Sequence, residues 1–434
     1  MTLPPPPEKH AALEPEANRL ASFSIGRDTD AAPAEALDQE EKVTVKCQRT
    51  AYSCGISVVY GSEITADVFA RDLALAAEET KTALAYIFFS QDVFDPQALT
   101  LAISDHAPDL NYAGCSTAGE ITPSGYCEGQ IIAFLFPEDQ FTVSNAMIEN
   151  LASCSMDDVV TRLSKIRREM ENDHSDDGSQ IFSVLLIDGL SRAEEAFTSA
   201  LYWSLDNIPL IGGSAGDNLR FQNTKLIMNG EVKSDTAIVI FVRSKVPFRV
   251  FKTDNFVPTS QKLVVTASDP DNRTVRELNA EPAAKAYAEA IGIDPDSLGP
   301  MSFASHPVVV RIGGDFYCRS IQKLNPDGSL SFFCAIDNGI VLTIAQPKGM
   351  VESTNEKLRE IEEELGGIDV LLGFDCVLRR LDAQNRQSFQ ALTKLYRQHN
   401  VAGFCTYGEQ FRSMHLNQTL TGIAFGQRSD THAG

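Results

Sequence analysis

The stretch "NYAGCSTAGE" (111–120) returns far down the chain as "NVAGFCTYGE" (400–409). Both run from Asn through small apolar residues to Gly, then to Thr-x-Gly-Glu. A weaker third copy, "PLIGGSAGDN" (209–218), places Ser214-Ala215-Gly216-Asp217 where the others have Thr-x-Gly-Glu. Ahead of each copy lies an apolar, strand-sized run: "LAYIFFS" (84–90), "IFSVLLID" (181–188) and "VLLGFDC" (370–376). A helix-like segment follows each run: "PQALTLAISDH" (96–106), "AEEAFTSALYWSL" (193–205) and "RQSFQALTKLYRQH" (386–399). After the phrase another apolar run returns, at 130–136, 236–242 and 419–426. Thr117 to Ile131 is the same span as Thr406 to Leu420. The chain therefore repeats a strand–helix–turn–strand unit, twice in its first half and once near its end. Near-continuous apolar strands imply sheets covered on at least one face. The expected fold is α/β (α+β): two domains with mixed β-sheets flanked by helices.

Around these units the composition is that of an ordinary globular protein, with 43% hydrophobic and 22% charged residues among 434. No apolar run approaches the length of a membrane span, so no membrane insertion is expected. The opening "MTLPPPPEKHAALEPEAN" lacks the charged and apolar regions of an export signal, which points to the cytoplasm. Nine cysteines without CxxC fit a reducing compartment better than a disulfide framework. A net charge of −22 argues against nucleic acid and against anionic membrane surfaces. Small molecules and proteins remain as partners, and a homo-oligomer stays open.

Residues 1–45 read as a disordered acidic, Pro-rich arm, and 429–434 as a tail. Helices are expected at 156–171 and 353–365, with a loop over 170–179. Beyond about 262 the pattern changes. "NRTVRELNAEPAAKAYAEAIG" (272–292) reads as helical, and the strand-rich stretch after it contains "NPDGS" (325–329), a hairpin turn signal. This shift places a domain boundary near 260–270, giving domains over 46–265 and 266–428.

In each copy of the phrase a glycine, a hydroxyl and a carboxylate fall between a helix and a strand. Such a group makes a tight turn feeding the next strand. It also allows the turns Thr117-Gly119-Glu120, Ser214-Gly216-Asp217 and Thr406-Gly408-Glu409 to frame a shared ligand pocket. It is not a phosphate loop, because no GxxxxGK[ST] occurs. Gly212-Gly213-Ser214-Ala215-Gly216 matches GxSxG in form, but its turn leads to a strand rather than a helix, against a hydrolase elbow. No nucleophile–base set or metal constellation is evident, so an enzyme is not expected.

"AGCSTAGE", "IGGSAGDN" and "GFCTYGEQF…HLNQTLTGIAFG" resemble the FIST sensory-domain proteins, FIST-N and FIST-C in order, over roughly residues 50–428. The resemblance implies a signal-input module that binds a small ligand. Within the family the chain is similar to the nitric-oxide-sensing NosP group, which implies non-covalent haem b. It also implies regulation of a sensor histidine kinase or of a cyclic-di-GMP enzyme (diguanylate cyclase or phosphodiesterase) by protein contact. The alternative is a FIST module that senses an amino acid or other small metabolite without haem.

If haem is held, an axial ligand and cations for the propionates are required. Of seven histidines, His10 and His432 lie in expected tails and His174 in an acidic loop. His106 and His399 end helices, where an imidazole complements the dipole. His306, before an apolar strand, is the first candidate for the haem iron. His415, inside the last family motif, is the second. Cys376 is a possible thiolate ligand, with Arg379 following it on the same segment. Arg311 and Arg319 are further candidates for propionate contacts. Residues of these kinds are more commonly ordinary packing or surface ion pairs.

Overall fold

The computed structural model describes residues 46–172, 178–312 and 314–428. The arm, the tail, His10, His174 and His432 lie outside the described residues. The phrase marks one part of a larger unit that occurs three times. Each unit runs strand, helix, strand, helix, strand, two-stranded hairpin, strand. The first spans Ser57–Ser62, Ala66–Thr80, Thr82–Phe89, Pro96–His106, Tyr112–Ser116, the hairpin Glu120–Thr122/Gly125–Cys127, and Gln130–Pro137. The second spans Phe141–Glu149, Met156–Asn172, Gln180–Ile187, Glu194–Leu205, Leu210–Ser214, the hairpin Leu226–Met228/Glu231–Lys233, and Thr236–Ser244. The third spans Phe248–Asp254, Met350–Leu365, Val370–Cys376, Val377–Asn385 with Phe389–Gln398, Val401–Thr406, the hairpin Glu409–Phe411/Met414–Leu416, and Thr419–Phe425.

Local sequence explains where the helices begin. Thr65 accepts from Val68 N to cap one, and Asp95 accepts from Ala98 N at 2.8 Å to cap the next, with Pro96 in the first turn. The fold is α+β with mixed sheets flanked by helices, as expected.

The hairpins leave their own sheets. That of the first unit pairs with Val401–Thr406 of the third, that of the third with Leu210–Ser214 of the second, and that of the second with Tyr112–Ser116 of the first. The exchange closes a ring. The inner faces of the three sheets share one core, with Phe88, Phe136, Phe182, Ile240, Phe374 and Phe404 all buried in it. The helices cover the outer faces, each sheet over its own apolar cluster.

Between the first strand and first helix of the third unit lies an insertion, an eight-stranded sheet from Phe256 to Pro347 over a separate core. The boundary expected near 265 falls inside its strand Phe256–Asp269. The helix expected over 272–292 is helical only from Ala283 to Ile291. Thr274–Leu278 is instead a strand, because it pairs on one side with the preceding strand and on the other, at Thr274 and Val275, with the distant Ser331 and Leu330, burying Val275 and Leu278, and Asn279 and Ala280 turn the chain with positive φ. "NPDGS" forms the expected turn: Gly328 has φ 80° and donates to Asn325 O at 3.0 Å.

Candidate functional site

The repeated phrase has three jobs in the structure. Its first glycine lies where two parallel strands meet the exchanged hairpin. A Cβ on Gly114, Gly212 or Gly403 would lie 1.8, 2.1 or 1.9 Å from the carbonyl oxygen of Ile87, Leu185 or Gly373. Its turns then meet one another. Ala118 N donates to Cys405 O at 2.9 Å, Cys405 N to Gly119 O at 2.7 Å, Ser214 N to Gly408 O at 2.8 Å, and Gly216 N to Ser116 O at 3.1 Å. Finally its acid pins the hairpin that follows. Thr117 Oγ1 bonds Glu120 Oε1, and Glu120 Oε2 accepts from Gln130 N at 3.0 Å. Thr406 Oγ1 bonds Glu409 Oε1 in the same way, and Glu409 Oε2 accepts from Thr419 N and Oγ1 at 3.2 and 2.8 Å.

Asp217 is different. Its loop is longer, and the position of Glu120 and Glu409 is taken by Leu226 in the second hairpin's register. Asp217 instead accepts from Phe221, Gln222 and Asn223 N at 2.7–2.9 Å and from the Tyr407 hydroxyl.

Burial pushes Glu409 up to about 8 and Glu120 up to about 7, against the hydrogen bonds from Thr406, Thr419 and Thr117. Folded Glu409 thus keeps a proton that an unfolded glutamate releases near 4.5. The stability contributed by that proton is full below pH 4.5 and is lost as the pH rises to about 8. Urea denaturation of Glu409→Gln across this range should show a flatter pH dependence than the native chain, by on the order of 3 kcal/mol. Parallel curves would show that Glu409 is ionised at neutrality.

The three hairpins occupy equivalent places, yet one differs in chemistry. Opposite Gly403, Gly114 and Gly212 stand Ile121, Ile227 and Gln410. Their cross-strand partners are Tyr126, Val232 and His415. Two hairpins therefore present mainly apolar pairs, and the third presents Gln and His. Gln410 Nε2 donates to Ser214 Oγ at 3.0 Å and lies 3.2 Å from His415 Nδ1. In this amide orientation Nδ1 accepts, so His415 Nε2 carries the proton.

No well-formed hydrogen bond within the protein reaches Nε2, although the Phe333 carbonyl lies near the imidazole, and none reaches Gln410 Oε1, Asn417 Oδ1 or Gln418 Oε1, all buried. His415 and Asn417 both lie over Gly408, whose Cβ would sit 2.2 Å from His415 Cε1 and 3.2 Å from Asn417 Nδ2. Burial pushes His415 down to about 4; Glu195 pulls it up, and Arg273 and Arg319 push it down. The imidazole is neutral at physiological pH.

Charged groups ring this cluster. Buried Arg273 bonds Glu194 and Glu195, each at 2.6 Å, and donates to Phe333 O at 2.6 Å. Arg319 Nη1 lies 3.5 Å from His415 O. Phe221, Phe333 and Tyr407 form an aromatic group with ring centroids 4.8–6.1 Å apart.

The structure thus brings His415 and Arg319 together with the Thr406-Gly408-Glu409 and Ser214 turns. The other expected residues stand elsewhere. His306 is half-buried at the end of the six-residue helix Pro300–Ser305, with Nδ1 3.3 Å from Ser302 O. Cys376 is fully buried at a strand end, and burial pushes its thiol up. Arg379 is also fully buried; it bonds Asp375 at 2.7 Å, Asn255 at 2.6 Å and Thr354 at 3.1 Å. Arg311 is exposed, 5.9 Å from the centroid of the Phe316 ring. Gln410, Asn417, Glu195 and Arg273 were not singled out by sequence. Gln410 was findable by aligning the three hairpins, whereas Glu195 and Arg273 reach the cluster only through tertiary packing.

Residues 83–281 match the FIST N domain and residues 283–412 the FIST C domain. The chain is a FIST-domain protein. FIST domains are sensory signal-input domains rather than catalytic ones. The chain is also similar to the uncharacterized protein MJ1623 of Methanocaldococcus jannaschii. The two are 24% identical over 361 residues, covering 74% of this FIST protein and 69% of the relative. Ser214, Glu195 and Arg273 lie in the FIST N match, Arg319 and Gln410 in the FIST C match, and His415 just past it. Among the described residues no helix is long and apolar enough to cross a membrane, and no group of three or more His, Cys, Asp or Glu is placed to hold a metal ion.

Proposed function

We propose that this FIST protein is a signal-input protein whose Gln410–His415–Asn417 cluster takes a small polar ligand and reports it to a partner protein by contact. The observation that carries the reading is the set of buried polar atoms without a well-formed hydrogen bond in, and just after, the one hairpin of three that is not mainly apolar. Each such atom costs about 1–3 kcal/mol unless something satisfies it. A ligand offering acceptors to His415 Nε2–H and donors to the amide oxygens does so. Phe221, Phe333 and Tyr407 supply an aromatic border, and Glu195, Arg273 and Arg319 fix the sign of nearby charge. An amino acid or similar metabolite has the required groups.

The experiment is thermal denaturation against a panel of amino acids and other polar metabolites. A ligand at a hundred times its Kd should stabilise the native chain by about 2.7 kcal/mol. The gain should vanish in His415→Ala and Gln410→Ala. A panel hit that survives both substitutions would place the ligand elsewhere.

A second reading, non-covalent haem, is favoured by one observation. His306 Nδ1 faces a carbonyl and so must donate, which leaves Nε2 free as a metal ligand would need. His415 fits less well, because its Nδ1 accepts from Gln410 and its surroundings are polar. Of the arginines expected at propionates, Arg379 is committed to buried partners and Arg311 remains exposed. An absorption spectrum of protein expressed with ample haem, oxidised, reduced and reduced with nitric oxide, tests this reading. A Soret band lost in His306→Ala would support it, and a colourless protein that takes up no added haem would remove it. A sensor histidine kinase or a cyclic-di-GMP enzyme is the partner class proposed with either ligand.

A further inference from the structure

The loop that departs from the repeat borders the hairpin that departs from it. In the first and third units the acid of the phrase opens the hairpin directly, whereas in the second a loop from Asp217 to Lys225 intervenes. Three of its residues, Asn218, Leu219 and Phe221, hold φ of 52°, 66° and 53°. Asn accepts this left-handed conformation, but Leu and Phe disfavour it, because Cβ crowds the backbone carbonyl.

Buried partners hold the loop in this strained form. The Asp217 carboxylate accepts from Phe221, Gln222 and Asn223 N at 2.8, 2.7 and 2.9 Å. The Tyr407 hydroxyl donates to Asp217 and accepts from Leu219 N at 2.7 Å. Asp217 and Tyr407 are both buried. By contrast, the ties of Arg220 and Asn218 to Asp92, at 3.0 and 3.4 Å, are exposed and weak.

So held, the loop seats Phe221 at the edge of the polar cluster. Its ring centroid lies 4.8 Å from that of Tyr407 and 5.8 Å from that of Phe333. Tyr407 O accepts from Asn417 Nδ2 at 3.3 Å, and the Phe333 carbonyl lies near the His415 imidazole. Phe221 thus packs on the two residues that border the cluster, while Arg220, Gln222 and Asn223 beside it are exposed. We propose that residues 217–223 form a gate over the Gln410–His415–Asn417 cluster, with Phe221 as the side chain that closes it and the Tyr407 hydroxyl as its latch.

Release of the latch frees Leu219 N and lets the left-handed residues relax, which withdraws Phe221 from Tyr407 and Phe333. Asn417 binds the backbone of the residue that carries the latch, so a ligand on Asn417 biases the gate through Tyr407. The gate rests on the reading of the cluster as a ligand place, but its test needs no ligand.

Diethyl pyrocarbonate acylates a neutral imidazole that it can reach, and trypsin releases His415 in a peptide, 413–428, with no second histidine. In the native full chain His415 should react far more slowly than the partly exposed His106. Tyr407→Phe, which keeps the ring and removes the latch, and Phe221→Ala should each speed the His415 reaction about tenfold. Iodoacetamide labelling of Cys115, buried in the ring core, should keep its native rate, which separates gate opening from global unfolding. An unchanged His415 rate in both variants would overturn the proposal. So would a native rate equal to that of His106, or His415 and Cys115 rising in step. Metabolite stabilisation tests the cluster separately: if His415 answers to the gate while no metabolite stabilises the chain, the gate stands and the ligand reading fails.

Discussion

Alanine at Gly114, Gly212 or Gly403 is expected to cost about 3 kcal/mol or more at each position, enough to deplete the folded protein. The added Cβ would lie 1.8–2.1 Å from a backbone carbonyl of the neighbouring strand, and backbone cannot rotate away as a side chain can. Relief requires that two parallel strands separate at the place where a third, exchanged strand is also paired. All three positions bear on the same closed ring, so the penalties should be similar, which an isolated packing site would not predict. Gly299→Ala is the control: a Cβ there meets nothing within 4 Å and its φ of −168° is ordinary extended backbone. Urea denaturation that found the ring variants as stable as Gly299→Ala would show that the strands yield freely.

The second large effect is expected at Asp375. Its carboxylate accepts from Arg379 Nε at 2.7 Å, from the Tyr396 hydroxyl at 2.7 Å and from the Tyr126 hydroxyl, all fully or almost fully buried. Arg379 in turn binds Asn255, the residue between the last strand before the insertion and the first strand within it, and Lys348 N donates to Asn255 O at 2.7 Å where the chain returns. Asp375→Ala therefore leaves a guanidinium buried without its counter-charge at the root of the insertion. The expected cost is about 3–5 kcal/mol. Replacing both partners with apolar residues, as in Asp375→Leu with Arg379→Met, should recover part of that loss, since the penalty comes from the orphaned charge. A loss below 1 kcal/mol in the single variant, measured by thermal or urea denaturation, would mean that water or a shifted side chain satisfies Arg379.

Tyr126 connects this network to the candidate site by equivalence. It is the first hairpin's counterpart of His415, and its hydroxyl is consumed by Asp375 and Tyr396. The same place in the ring is therefore closed by side chains in one copy and left with polar atoms that lack a well-formed hydrogen bond in another. In the function proposed above, this contrast is what marks the His415 position, rather than the Tyr126 position, as the place for a ligand.

The sequence by itself determined the repeat, because strand-sized apolar runs and amphipathic helices are local patterns that burial imposes on any copy of the unit. It also determined the family, through the order and spacing of the glycine-centred phrases, and the turn at "NPDGS", where residue-specific dihedrals suffice. Only the tertiary structure decided which sheet each hairpin joins, since an edge strand pairs by spatial neighbourhood and carries no local mark of its partner. For the same reason Thr274–Leu278 is a strand although its composition suits a helix. The site follows the same division. His415 was visible as a residue of a motif, but its burial, its neutral charge and its place beside Gln410, Glu195, Arg273 and Arg319 come from segments that meet only when the ring closes and the inserted sheet folds against it. Arg379, which looked free to bind a ligand in the sequence, is committed because packing turns it inward to a carboxylate one helical turn before it.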